Sequence, residues 1–267
     1  MPRIQLPRPR RTGTQTVDRS FQILKEIAVR NARGITVPEI AATLGLHRTT
    51  VHRMLQCLIR NGAVRQGSGT RQFFLGPLVA ELTIASRPQL DLRTLFAPAV
   101  SRVAEQTGDT TFLIQRSGND AVCIDRRLGS YPIRTVVVEV GTRRPLGIGA
   151  GSLAILSALP EPDAECIARE NARRLRLYDR SVDALLKAAR SARKAGYAAG
   201  PVYGVDGAMS IGVPVLDTQA LPVAGLSVAA IATRMTRSRQ NTLLKILRDE
   251  ARQMTELLRE TNIVEAG

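Results

Sequence analysis

The stretch Leu46–Gly62, LHRTTVHRMLQCLIRNG, contains both histidines of a 267-residue chain, His47 and His52. They could serve as general bases, metal ligands or recognition groups on an exposed helix. From Arg48 onward Val51, Leu55 and Leu58 share one side of a helix that turns about 100° per residue. Thr49, His52, Arg53 and Gln56 gather on the other side, with Arg48 and Thr50 in the same opening turns. Hydroxyl, imidazole, guanidinium and amide groups without a carboxylate suit base edges and phosphate oxygens. Asn61-Gly62 is a good helix stop.

The flanking sequence completes a motif. In TVPEIAATLG (36–45), Thr36 and Glu39 form a capping box, Pro38 lies in the first turn and Gly45 ends a short helix with Ile40, Ala41 and Leu44 inward. Before it, TVDRSFQILKEIAV (16–29) predicts a helix capped by Asp18, with Phe21, Leu24 and Ala28 on its apolar side. After it, AVRQGSGTRQFFLG (63–76) reads as two short strands joined by Gly67-Ser68-Gly69 and edged by Arg65 and Arg71. A hairpin directly after a recognition-type helix could be a plain β-hairpin, but the order of elements favours a winged helix-turn-helix, a nucleic-acid reader.

The charge agrees with this reading. The chain carries a net charge of +15, and residues 1–72 alone hold thirteen Lys/Arg against three acids. A basic quarter of this kind points to a polyanionic partner. The first thirteen residues, basic and broken by proline, are expected to be a disordered arm. No secretory leader or membrane-length apolar run is read, so a cytoplasmic protein is expected. Cys57, Cys123 and Cys166 have no CxxC spacing and are expected to be reduced and mostly buried, with no metal site.

The C-terminal part reads as a second domain. A helix from Asp91 to Gly108, with Leu92, Leu95 and Val103 inward, precedes expected strands at 110–115, 121–125 and 133–141. PLGIGAGSLAILSAL (145–159) is a Gly-rich turn entering an apolar helix near Ser152, where converging N–H groups would attract an anion. Neither a Walker A loop nor GxGxxG matches it, and close helix-on-sheet packing explains it equally well. MSIGVPVLD (209–217) and PVAGLSVAAIA (222–232) suit buried strands, and residues 239–260 form a final amphipathic helix with Leu243, Leu247, Met254 and Leu257/Leu258 inward. Arg143 and Arg144 precede the loop and could steer an anion.

An enzyme would need a catalytic centre. Histidine is absent after His52, which excludes Cys-His and Ser-His systems from the second domain. HExxH and GxSxG are also absent, and no recognisable partner accompanies Asp125 or Asp206. A DNA-packaging protein would fit the charge but would have no need of a second domain.

Taken in order, TVDRSFQILKEIA, TVPEIAATLGLHRTTVHRMLQCLIRNG, FFLGPLVAEL, LDLRTLFAPAVSRVAEQTGDTTFL, RRPLGIGAGSLAILSALP, MSIGVPVLD and VAGLSVAAIA closely resemble the IclR family of bacterial regulators, from about residue 14 to 260. The resemblance implies a two-domain α+β protein. A winged helix-turn-helix (14–76) and a connecting helix (77–90, its helix running from Gly76 to Arg87 and ended by Pro88) would precede a GAF/PAS-like α/β ligand-binding domain (91–267). It implies a homodimer or dimer-of-dimers on an inverted-repeat operator, controlled by a small organic acid and governing a catabolic operon, without enzymatic activity, cofactor or membrane partner. DNA contacts would come from Arg48, Thr49, Thr50, His52, Arg53 and Gln56, and from Arg65 and Arg71 on the wing. Effector contacts would come from Gly147, Gly149, Ala150, Gly151, Ser152, Asp125, Ser210 and Ser227. Gly147, Gly200, Ser210 and Ala229 replace residues of the family's common pocket (histidine, an acid, cysteine and serine), so a larger, aromatic acid is expected rather than a two- or three-carbon one.

Overall fold

The computed structural model describes residues 14–85, 91–133 and 138–265. The expected arm at 1–13, the stop at Pro88 and residues 134–137 of one expected strand lie outside these. The chain divides into two compact units, Met1–Pro88 and Gln89–Gly267.

The first unit contains α1 (Gln15–Val29), α2 (Val37–Leu44), α3 (Arg48–Arg60), β1 (Val64–Gln66), β2 (Phe73–Leu75) and α4 (Pro77–Ala85). Ile23 and Ile27 of α1, Ile40 of α2, Val51 and Leu55 of α3, and Val64 and Phe73 of the hairpin meet in one apolar core. Ile35 and Phe73 exchange backbone hydrogen bonds of 3.1 and 2.8 Å, fastening the α1–α2 connection to the wing. Two expectations for α1 are corrected. Thr14, not Asp18, occupies the cap position, and Asp18 lies in the first turn. The buried stripe is Ile23/Ile27, while Phe21 is 58% exposed. Helical spacing fits both stripes, and only the position of α3 chooses between them.

In the second unit Asp91 caps α5 (Leu92–Thr107) and Gly108 ends it at φ 68°. Strands β3 (Thr110–Ser117), β4 (Asp120–Arg127), β5 (Arg143–Pro145), β6 (Ala198–Pro201), β7 (Ala208–Leu216) and β8 (Pro222–Ile231) follow. They form one sheet in the order β5-β4-β3-β8-β7-β6 with every pairing antiparallel. Beyond residue 137, the expected strand at 133–141 is instead a turn through Gly141 at φ 88°, and Arg143–Pro145 takes the edge beside β4.

Helices α5 and α10 (Arg237–Glu265) cover one face of the sheet, burying Phe96, Val100, Leu243, Leu247 and Met254 against Leu113, Leu226 and Val228. Leu258, rather than Leu257, completes the buried side of α10. Arg102 binds Glu250 through both oxygens at 2.9 and 2.7 Å, joining these two helices. The other face carries α6 (Ala150–Ala158), α7 (Glu161–Glu170), α8 (Ala172–Leu175) and α9 (Val182–Ala195), packed through Ile155, Leu156, Ile167 and Leu185. Among the described residues no helix is long and apolar enough to cross a membrane.

The first turn of α6 rests directly on the strands. A Cβ added at Gly225 would lie 2.2 Å from the Gly151 carbonyl oxygen, and one at Gly212 would lie 2.9 Å from the Gly151 nitrogen. Only hydrogen fits at these contacts, so helix and sheet backbones touch.

Two outcomes are expected. Gly225→Ala should destabilise the second unit by about 1–3 kcal/mol through overpacking, read by urea unfolding. The capping box supplies the other: Glu39 accepts from the Thr36 N–H and the Thr36 hydroxyl, both at 2.8 Å. These bonds, with Arg33 beside them, lower its pKa from 4.5 to about 2. A depressed carboxylate lends stability above its ordinary pKa and loses it as pH falls through the folded value. Glu39→Ala should therefore melt below wild type at neutral pH, with the gap closing between about pH 4.5 and 2.

Candidate nucleic-acid face and ligand cavity

Helix α3 buries Val51, Met54 and Leu55 and exposes Arg48, Thr49, His52 and Arg53, while Thr50 and Gln56 are half-buried. The fold thus brings these six candidates onto the outer side of a single helix. His47 holds the cap position of α3 through its carbonyl, which accepts from the Val51 N–H at 3.1 Å; its imidazole makes no capping bond. Arg48, Arg53 and Arg60 take part in no ion pair among the described residues, so no carboxylate competes for an anionic partner there.

On the wing, Val64 pairs with Leu75 and Gln66 with Phe73. Arg65 lies 4.6 Å from the centre of the Phe74 ring on the opposite strand, which holds it in place. Arg71 is exposed in the connecting turn, closed by the Gly67 N–H to Gln72 carbonyl bond of 2.9 Å. The reading of α3 alone missed Thr16, Arg19 and Ser20 of α1, which with Arg53 and Arg60 border a groove beside α3. In the sequence Arg19 added only to the charge count. Cys57 and Cys166 are exposed and only Cys123 is buried, so the thiols are not mostly buried as expected.

The second unit contains a half-open cavity. It lies between the α6 side of the sheet and the loops at 138–144 and 202–203. Six expected residues line it: Gly149, Ala150, Gly151, Ser152, Ser210 and Ser227. Gly149, at φ 92°, caps α6. The Gly147 N–H donates to the Ser152 hydroxyl at 2.7 Å, which fixes the loop. Ser210 donates to the Gly200 carbonyl at 3.3 Å.

Gly147 and Asp125 are not part of the lining. Gly147 faces the helical layer, where a Cβ would strike Leu185 at 2.6 Å. Asp125 lies further along β4, its carboxylate taken by the Arg126 N–H at 2.8 Å and the Arg127 guanidinium at 3.2 Å.

Most of the wall is apolar: Phe112 and Ile114 from β3, Cys123 from β4, then Ile148, Val202 and Ala229. Arg144 is its one charged residue among the described ones. Burial pushes the Cys123 thiol up to about 12, so while it stays buried it lines the cavity as a small neutral group and becomes reactive only on exposure. Alternation along β3 offered Phe112 and Ile114 as a pair sharing one face, but nothing in the sequence said which face held a cavity. Tyr203, on a loop, gave no periodic signal.

The comparisons agree with both halves. The family model described as "IclR helix-turn-helix domain" matches residues 16–68, and "Bacterial transcriptional regulator IclR C-terminal" matches 85–256. HTH-type transcriptional regulator KipR of Bacillus subtilis is 25% identical over 241 residues, covering 87% of this chain and 95% of the relative. An IclR regulator structure from Alicyclobacillus acidocaldarius superposes with TM-score 0.71 at 23% identity, covering 91% of this chain and 98% of that one. An IclR homolog from Microbacterium hydrocarbonoxydans, complexed with 4-hydroxybenzoate, gives 0.69 at 22%, covering 92% and 100%. The relatives are named as regulators, not enzymes. With both domain models matched in order across most of its length, the chain belongs to the IclR family of DNA-binding bacterial transcriptional regulators.

Proposed function

We propose that operator binding by this regulator is controlled by a small organic acid, preferentially an aromatic one, held in the cavity of the second unit. The observation that carries this reading is the composition of the wall, which among the described residues is apolar or hydroxylated apart from one charged residue, Arg144. A carboxylate would pair with Arg144 and the N–H groups opening α6, while a ring would lie on Phe112, Ile114 and Val202. Ser210 and Ser227 offer hydroxyls to a ring substituent. The 4-hydroxybenzoate bound by the structural relative from Microbacterium hydrocarbonoxydans supports an acid of this size.

On the DNA side, α3 would enter the major groove with Thr49, His52 and Arg53 towards the bases, and Arg48, Thr50 and Gln56 in support. Arg65 and Arg71 would follow the backbone from the wing. One half-site of this size offers few base contacts, so a homodimer or dimer of dimers on an inverted repeat is expected. The protein would act in the cytoplasm on genes for catabolism of the acid. Ligand would shift the population between assemblies that hold DNA well and poorly.

Isothermal titration with benzoate-type and two- to three-carbon acids tests the ligand. Binding of the aromatic acids, weakened at least about tenfold in Arg144→Met, is expected; binding of the short acids alone would refute the aromatic reading. In gel-shift assays Arg53→Ala should cost about 1–3 kcal/mol on the operator. Arg71→Ala should weaken operator and random duplex alike and reduce the salt slope by about one. Unchanged affinity would remove either residue from the interface.

A further inference from the structure

The outer wall of the cavity is partly built by the loop between β6 and β7, which contributes Val202 and Tyr203. Its base is closed by the Val202 N–H to Ala208 carbonyl bond of 2.9 Å. Gly204 and Gly207 adopt φ of 84° and 73°, backbone states open to glycine that give the loop two pivots. Between them Val205 and Asp206 are exposed, so the tip has no core of its own.

What holds Tyr203 comes from another segment, the short connection between α8 and α9. The Arg180 Nε–H donates to the Tyr203 hydroxyl, and the same guanidinium lies 5.6 Å from the ring centroid. Tyr178 meets that ring edge-on at 5.9 Å and 89°. Among the described residues Arg180 enters no ion pair, leaving Tyr203 as its main engagement. Behind this wall Cys123 is only 1% exposed. The Ala232 N–H also donates to the Gly207 carbonyl at 2.6 Å, which anchors the base of the loop. Beyond that base Tyr203 is the tethered residue, and a glycine-pivoted segment with an exposed tip has the local stability of a part that opens.

We propose that residues 202–207 form a lid over the ligand cavity, latched by Arg180 on Tyr203, which swings outward to admit the ligand. The assignment rests on the cavity being the acid site, but opening can be read without any acid. The reporter is native to the site: with Cys57 and Cys166 changed to serine, Cys123 is the sole remaining thiol and lies inside the cavity. Its alkylation by iodoacetamide, followed by mass spectrometry at one fixed pH, measures how often the wall opens.

Tyr203→Phe, which removes one hydroxyl and keeps the ring, and Arg180→Met should each label Cys123 at least fivefold faster than the parent. The double variant should be no faster than the quicker single, because both remove one interaction. Arg248→Met is the control: its guanidinium stacks 6.0 Å from the Tyr197 ring, and neither residue lines the cavity. It should leave the rate unchanged. Equal rates in parent and latch variants, or equal acceleration by Arg248→Met, would make the loop a fixed wall and overturn the proposal. Protection of Cys123 by 4-hydroxybenzoate is a separate reading: its absence counts against the acid assignment and leaves the labelling comparison intact.

Discussion

The cavity of the second unit depends on a contact in which no side chain takes part. The first turn of α6 lies against β7 and β8 because residues 151, 212 and 225 are all glycine. That contact sets the depth at which the opening N–H groups of the helix meet the sheet. It also brings Ser152, Ser210 and Ser227, from three separate elements, into one cavity. A methyl group anywhere in the contact would push the helix outward and unmake this convergence.

The first unit follows a different rule. Its core is small and largely aliphatic, and the candidate DNA contacts are the residues the core leaves out. Because α3 must bury Val51, Met54 and Leu55, its remaining positions project outward as a face without carboxylates. The wing is steadied in the same indirect way, Arg65 resting on the ring of Phe74. The candidate recognition groups are thus placed by packing, and Arg48, Arg53 and Arg60 on α3 enter no ion pair among the described residues.

Much of this was legible in the chain itself. Thr36, Glu39 and Gly45 mark the ends of α2 through hydrogen bonds and a backbone state that each residue type favours, and Asp91 and Gly108 do the same for α5. Such signals are local, so they survive without the tertiary structure. Phe21 misled because two stripes on α1 satisfy the same periodicity, and burial is decided by distant residues. Asp125 misled for a related reason: being an acid near a cavity strand does not say where along the strand the cavity ends. Helices α7 to α9, β6 and the wall residue Tyr203 needed the assembled sheet, since their roles arise from elements far apart in sequence.

The edge-on pair Tyr178 and Tyr203 also gives the molecule an optical property. The chain has no tryptophan and four tyrosines, so its near-ultraviolet emission comes from phenols alone. Two of the four form this pair, and one of them, Tyr203, lines the cavity and touches a guanidinium. The unmodified protein therefore carries an intrinsic chromophore where a ligand would pass, undiluted by indole signal from either unit.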